Sequence, residues 1–294
     1  MKLRSGPDGI QLFEREIGLN ILLDAIERPT TTWSRAPRFV SIALTNNCDL
    51  RCEYCYAPKS KAGLALQSIC EWGKELDLNG CLGIGFGGGE PTLSPILVEA
   101  CEFLTRQTGM SVTMTTHGHR MNDELIEKLK GSLNFVRVSM DGIDSVYERL
   151  RGRRFDVFLD RLSKIGKAFR FGINFLVNED TFPCLDDSVR IAADLGCVEF
   201  LLLPEQAVRG RGGVQRQTMD RLREWTLNPP AGVNFAISEG YDGFQTCNPF
   251  RREIALRAYA HIDASGILKR TSYDQAGVAI ENAGILFALE NLAR

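Results

Sequence analysis

The chain has 294 residues, of which 44% are hydrophobic and 24% charged, with a formal charge of -2 and nine cysteines. Such a composition specifies a globular protein with apolar material for one barrel-sized domain and appendages. It excludes a general electrostatic pull toward nucleic acid or anionic lipid. With no apolar run of about eighteen residues and no signal core, the sequence reads as cytoplasmic and without a membrane segment.

Residues 1–38 precede the regular pattern. Ile10 to Phe13 and Asn20 to Leu23 flank a turn-like Glu14 to Gly18, which predicts a short N-terminal hairpin; an amphipathic helix over Leu12 to Ile26 is the alternative. From Phe39 onward, short apolar runs alternate with amphipathic ones. Strands are expected at Phe39 to Thr45, Cys81 to Phe86, Ser111 to Thr115, Phe135 to Ser139, Phe171 to Val177 and Val198 to Leu203. Helices are expected at Leu64 to Leu78, Pro95 to Thr108, Asp123 to Lys130, Phe155 to Phe169, Leu185 to Leu195 and Thr218 to Trp225. Six β-α units over 39–227 imply an α/β fold with right-handed crossovers, as a partial (β/α)6 TIM-type barrel or a doubly wound sheet, with the site at the carboxyl ends of the strands. Beyond the Asn228-Pro229-Pro230 break, residues 228–294 read as a small α/β extension. Tyr259 to Asp263 and Ile267 to Arg270 flank Ala264-Ser265-Gly266 as a hairpin, and Ala283 to Leu292 closes as a helix.

The strongest chemical feature is Cys48-Asp49-Leu50-Arg51-Cys52-Glu53-Tyr54-Cys55, directly after the first strand. An odd number of irregularly spaced cysteines opposes a disulfide framework. Three thiolates on one such loop can hold three irons of a cubane and leave the fourth open. A zinc knuckle is the bland alternative, but structural zinc wants a second ligand pair and none follows. Gly87-Gly88-Gly89-Glu90-Pro91 follows the second strand; glycines permit close backbone approach and a carboxylate accepts from an ammonium group, although alone the run could be a turn.

The CxxxCxxC spacing, with aromatic Tyr54 before the third cysteine, resembles the signature of the radical S-adenosylmethionine (SAM) superfamily over about Phe39 to Leu203. The resemblance implies that Cys48, Cys52 and Cys55 bind a [4Fe-4S] cluster whose open iron chelates SAM. It also implies that reduction by an external donor of flavodoxin or ferredoxin type yields a 5′-deoxyadenosyl radical that abstracts a substrate hydrogen. Gly88, Gly89 and Glu90 are similar to the family segment that contacts the SAM amino group. Weaker matches are Thr116-His117-Gly118 and Ser139-Met140-Asp141-Gly142, which put Thr116, Ser139 and Asp141 among the cofactor contacts with Arg151 as a second carboxylate contact. The competing reading of these segments is strand-to-helix turn chemistry with a capping aspartate. Asn174 and Leu203 are placed to face the cavity. His117 and His119 have no acidic or cysteine partner nearby in sequence, which speaks against a metal role.

Arg209-Gly210-Arg211-Gly212-Gly213 offers an anion-binding turn or a solvated loop. Cys70, Cys81, Cys101, Cys184 and Cys197 read as packing residues. The tail resembles the SPASM or twitch extension of peptide- and natural-product-modifying members. Thr271 and Ser272 stand where that pattern shows cysteine, so a remnant without a second cluster is expected. Cys247 lies in Gln245-Thr246-Cys247-Asn248-Pro249, an irregular segment after the barrel that can fold over the open mouth; it is then structural, a hydrogen donor to a substrate radical, or a lone cluster ligand. The function implied is modification of a peptide or small-molecule substrate, by epimerisation with Cys247 as donor or by C-C or thioether cross-linking. A noncatalytic cluster-binding sensor or maturation partner is the alternative from another class.

Overall fold

The computed structural model describes residues 1–207, 212–238, 243–245 and 247–294. Three antiparallel strands come first: β1 (Lys2–Gly6), β2 (Gly9–Glu14) and β3 (Leu19–Leu23). The hairpin expected at Ile10 to Leu23 is β2 and β3, with Phe13 opposite Asn20. The first strand was not legible because Lys2-Leu-Arg-Ser-Gly6 is too short and polar to stand out.

Six parallel strands form the barrel wall: β4 (Phe39–Thr45), β5 (Gly83–Gly88), β6 (Ser111–Thr116), β7 (Phe135–Ser139), β8 (Phe171–Val177) and β9 (Glu199–Pro204). Between or after them run α1 (Leu66–Leu78), α2 (Leu97–Gln107), α3 (Asp123–Leu129), α4 (Asp144–Arg151), α5 (Phe155–Ala168), α6 (Leu185–Asp194) and α7 (Arg216–Trp225). Helix α4 was missed by the sequence reading; it is one short polar stretch ended by Gly152 in the left-handed region, φ 64°. The sheet is longer than six strands. β10 (Asn234–Ile237) adds parallel to β9, and β11 (Tyr259–Ile262) adds parallel to β4, followed by antiparallel β12 (Ile267–Lys269) and β13 (Val278–Ala279). The C-terminal hairpin therefore continues the barrel wall. Helix α8 (Ile285–Ala293) packs beside α1, and the Glu75 carboxylate accepts its first two backbone N–H groups, Ile285 and Leu286.

Strand alternation sorts the side chains. Val40, Ile42, Leu44, Ile84, Phe86, Val112, Met114, Val136, Val138, Ile173, Phe175 and Phe200 are no more than 1% exposed and face the helical layer, where Ile69, Leu76, Leu104, Phe158, Leu162 and Val189 meet them. The alternate residues are small or polar: Ser41, Gly85, Gly87, Thr113, Thr115, Arg137, Ser139, Gly172 and Asn174. Glycines at this face make room; a Cβ at Gly85 would lie 2.8 Å from the Phe39 ring, and one at Gly172 2.9 Å from the Phe135 ring. Those two rings sit at the strands' amino ends. The three-stranded sheet packs on the same end: buried Arg4 pairs with Glu253 at 3.0 Å and donates to the carbonyls of Ala36, Gly80 and Arg257. Among the described residues no helix is long and apolar enough to cross a membrane.

Candidate active site

The cysteine loop leaves the carboxyl end of β4 and is pinned where it returns. Asn46 N–H and Thr45 Oγ1 both donate to the Ala62 carbonyl, at 2.9 and 3.1 Å, and Leu64 N–H donates to Leu44 at 3.0 Å. Cys48, Cys52 and Cys55 are free and half-buried. Cys55 N–H donates to Cys52 O at 3.2 Å, closing a turn, and Leu50 N–H lies 3.4 Å from Cys48 Sγ. Positive charge faces the other sulfurs: Lys59 Nζ is 3.5 Å from Cys55 Sγ and Arg151 Nη1 3.8 Å from Cys52 Sγ. Burial pushes the Cys48 thiol pKa up.

The β5 carboxyl end supplies Glu90, which is 1% exposed. Its Oε1 accepts from Thr92 N–H (3.2 Å), Thr92 Oγ1 (2.6 Å) and Thr116 Oγ1 (2.7 Å), and its Oε2 from His117 N–H (2.9 Å). Thr116 thus braces Glu90 from the end of β6. Gly88 has φ 111°, and a Cβ there would lie 2.4 Å from Thr45 O; a Cβ at Gly89 would lie 2.2 Å from Asn47 O. Both glycines are forced by backbone approaching the cysteine loop. Gly87 differs: among the described residues a Cβ there would meet no atom within 4 Å.

Tyr54 turns inward from the loop, and its hydroxyl donates to Asp141 Oδ2. Asp141, 2% exposed, also pairs with Arg151 Nε at 2.5 Å and accepts from Leu176 N–H at 3.2 Å. Burial and the Asp141 carboxylate hold the Tyr54 hydroxyl neutral, with its pKa raised. Arg151, the last residue of α4, stands 5.8 Å above the Tyr54 ring. The structure thus joins Asp141, Arg151 and Tyr54 into one strut under the loop. Ser139 pairs with Asn174 across β7 and β8, and the buried Asn174 Oδ1 has no hydrogen-bond partner among the described residues. Leu203 is half-buried on the alternate face of β9.

Other sequence candidates are dispersed. Arg209, Gly210 and Arg211 lie outside the described residues. Cys81, Cys101 and Cys197 are buried, and Cys70 and Cys184 half-buried. Cys247 is exposed, and its neighbours place it away from the mouth. Phe250 packs 3.8 Å from the Arg38 guanidinium, just before β4, while Phe244 lies 5.7 Å from Arg223 near the end of α7. Three residues span at most about 10 Å, whereas seven-residue β4 is on the order of 20 Å long. The expectation that this segment folds over the open mouth is corrected by that path. The tail does reach the loop elsewhere: Tyr273, beside Thr271 and Ser272, packs against Tyr56 with ring centroids 4.4 Å apart. His261 on β11, which the sequence reading passed over, shares Ser41 Oγ (2.7 Å from Nδ1) with Tyr259 on the inner face; burial drops its pKa to about 4.

These residues fit a thiolate-held iron–sulfur cluster with an adjoining polar ligand. Three free sulfurs share one loop with cations against two of them, and space beside Gly87 and the orphan Asn174 Oδ1 lie at the neighbouring strand ends. The sequence model of the radical SAM superfamily matches residues 42–190, just over half of the chain. The chain belongs to the radical SAM superfamily. Its cofactors are a [4Fe-4S] cluster and S-adenosylmethionine. Fe-coproporphyrin III synthase of Methanosarcina barkeri (strain Fusaro / DSM 804) is 31% identical over 161 residues, covering 52% of this chain and 38% of that protein. The sporulation killing factor maturation protein SkfB of Bacillus subtilis (strain 168) is 28% identical over 178 residues, covering 57% of this chain and 42% of SkfB. These matches span about two fifths of the relatives' own length. Among solved structures, Streptococcus suis SuiB bound to S-adenosylmethionine superposes with a TM-score of 0.73 at 17% identity, covering 96% of this chain and 84% of SuiB. The radical SAM fold is common to both.

Proposed function

We propose that Cys48, Cys52 and Cys55 hold the [4Fe-4S] cluster, that Gly88, Gly89, Glu90, Ser139 and Asn174 seat S-adenosylmethionine, and that the enzyme abstracts hydrogen from a peptide or small natural product. The observation that carries this reading is a buried, four-fold braced Glu90 tied by its N–H to Asn47 O, 2.8 Å away, at the start of the loop that carries three free thiols. When bound and reduced, the cluster supplies the electron that cleaves SAM to a 5′-deoxyadenosyl radical. The chain's own residues orient and enclose: Thr92, Thr116 and His117 fix Glu90, while Tyr54, Asp141 and Arg151 fix the loop. We assign the catalytic barrel to 39–227, with 1–38 as an N-terminal extension and 228–294 as a SPASM-like one. Exposed Arg120 and Arg153 around Asp49, with Lys59, favour an acidic reductant of flavodoxin or ferredoxin type.

A peptide substrate is favoured over a nucleotide. SuiB, solved with its precursor peptide SuiA, shares the fold over the full chain, and SkfB is by its name a maturation protein of a sporulation killing factor; GTP 3′,8-cyclase of Haemophilus influenzae (strain ATCC 51907 / DSM 11121 / KW20 / Rd), 28% identical over 145 residues, supports the nucleotide alternative. Epimerisation is the finer reading, and Cys247 is the single cysteine of the tail sequence that could serve as its donor. Its path along the amino ends of the strands tells against direct donation. Anaerobic assay with SAM, reductant and candidate peptides in deuterated solvent tests both points. Deuterium in a product stereocentre supports epimerisation, and undiminished incorporation in Cys247→Ala removes that thiol as donor. Absence of 5′-deoxyadenosine with every peptide tried, alongside its formation with a nucleotide, would reverse the substrate assignment.

A further inference from the structure

His117 lacks a partner nearby in sequence, yet in space it contacts Asp49, Glu90 and His119 beside the cysteine loop. It is 4% exposed. Its Nδ1 accepts from His119 N–H at 3.1 Å, which leaves the ring proton on Nε2. That Nε2–H is aimed at Asp49 Oδ1, 2.8 Å away, with Glu90 Oε2 3.3 Å from the same nitrogen. The backbone N–H of the same residue holds Glu90 Oε2 at 2.9 Å. Asp49 directly follows Cys48, and its other carboxylate oxygen faces Arg120 at 3.5 Å and Arg153 at 3.6 Å. One residue therefore grips the cysteine loop with its ring and the Glu90 carboxylate with its backbone.

We propose that His117 is a positioning residue that locks the Cys48–Asp49 step in register with Glu90, so that the cluster's open iron and the carboxylate meet SAM as one pre-set pair. This rests on the cofactor assignment above. Thr92 and Thr116 already fix the Glu90 carboxylate, and Glu90 N–H holds Asn47 O at 2.8 Å, so losing the ring leaves the carboxylate and the start of the loop in place and frees the Cys48–Asp49 step beyond it. The register between the two is what changes. The Asp49 side chain is 30% exposed, so its hydrogen bond from His117 sits at the low end for a charged acceptor, about tenfold in an equilibrium, and a bidentate ligand senses misplacement of either partner.

Glutamine can place an amide N–H close to the position of Nε2, whereas asparagine is too short to reach Asp49. Purified, reconstituted His117→Asn is expected to keep its iron and sulfide, to bind SAM about tenfold more weakly by equilibrium dialysis, and to broaden the electron paramagnetic resonance spectrum of the reduced cluster with SAM. His117→Gln restores both within about twofold, which a merely space-filling role would not predict. Asp49→Ala should reproduce the asparagine phenotype, and the double variant should be no worse than either single one. It also serves if His117→Asn does not accumulate. Unchanged SAM affinity and spectrum in His117→Asn or Asp49→Ala, or a glutamine variant no better than asparagine, overturns the proposal. Wild-type protein that takes up no cluster or binds no SAM sinks the cofactor assignment instead.

Discussion

Asp141→Asn isolates the strut beneath the cysteine loop. The carboxylate is 2% exposed and the Arg151 side chain 10%, with Asp141 Oδ2 2.5 Å from Arg151 Nε. Asparagine's carbonyl oxygen can keep the bond from Leu176 N–H, but an NH2 group then replaces Oδ2, so the bond accepted from Tyr54 and the compensation of a buried guanidinium are lost. Removing one partner of such a pair costs about 3–5 kcal/mol; the remaining contact of Arg151 with Cys52 Sγ at 3.8 Å puts the expectation at the lower end, about 3 kcal/mol. Urea unfolding of the apoprotein measures it, and iron content after reconstitution reports whether Tyr54 still orders the loop. Adding Arg151→Met removes the orphan charge and should recover more than half of the lost stability. A single variant within about 1 kcal/mol of wild type, or a double variant less stable than the single, refutes the reasoning.

Gly87 and Gly89 of the β5 turn should separate. Gly89→Ala forces a Cβ to 2.2 Å from Asn47 O and should prevent cluster loading, while Gly87→Ala, with open space before it, should fold normally and lower SAM affinity; equal effects in both assays would contradict this. Stability should also depend on pH through His261, and with the same sign through His119. Burial lowers both folded pKa values to about 4 from 6.5, so the unfolded chain takes up these protons first as pH falls. Each histidine's stabilisation is complete above about pH 6.5 and is lost on the way down to about 4, on the order of 3 kcal/mol for His261. Chemical denaturation across that window should show a shallower decline in His261→Gln; an unchanged slope would mean that this ring is not held neutral by burial.

The barrel was legible because its signals are local. Runs such as Phe39 to Thr45 and Phe171 to Val177 carry the outward apolar residues that pack on the helices, and the observed strands occupy those same ranges. What escaped were segments whose identity comes from neighbours. Asn234–Ile237 and Val278–Ala279 are strands because β9 and β12 offer free edges, and Asp144–Arg151 is a helix chiefly because Gly152 can end it. The site divides the same way. Three cysteines within eight residues and a glycine run with its glutamate announce themselves, but the pairing of His117 with Asp49 spans 68 residues and Tyr54 with Asp141 spans 87. The placement of Cys247 depended on Phe250 finding Arg38, a tertiary contact without a sequence signature.

Whether the three-cysteine loop holds a SAM-binding cluster is decided by reconstituting the protein anaerobically with iron and sulfide, reducing it, and recording its electron paramagnetic resonance spectrum with and without SAM while quantifying 5′-deoxyadenosine. The account predicts one [4Fe-4S] cluster per chain, a spectrum that shifts when SAM is added, and 5′-deoxyadenosine formation that vanishes in Cys48→Ala, Cys52→Ala and Cys55→Ala. Zinc in the loop, or a cluster of undiminished occupancy in those three variants, would contradict it.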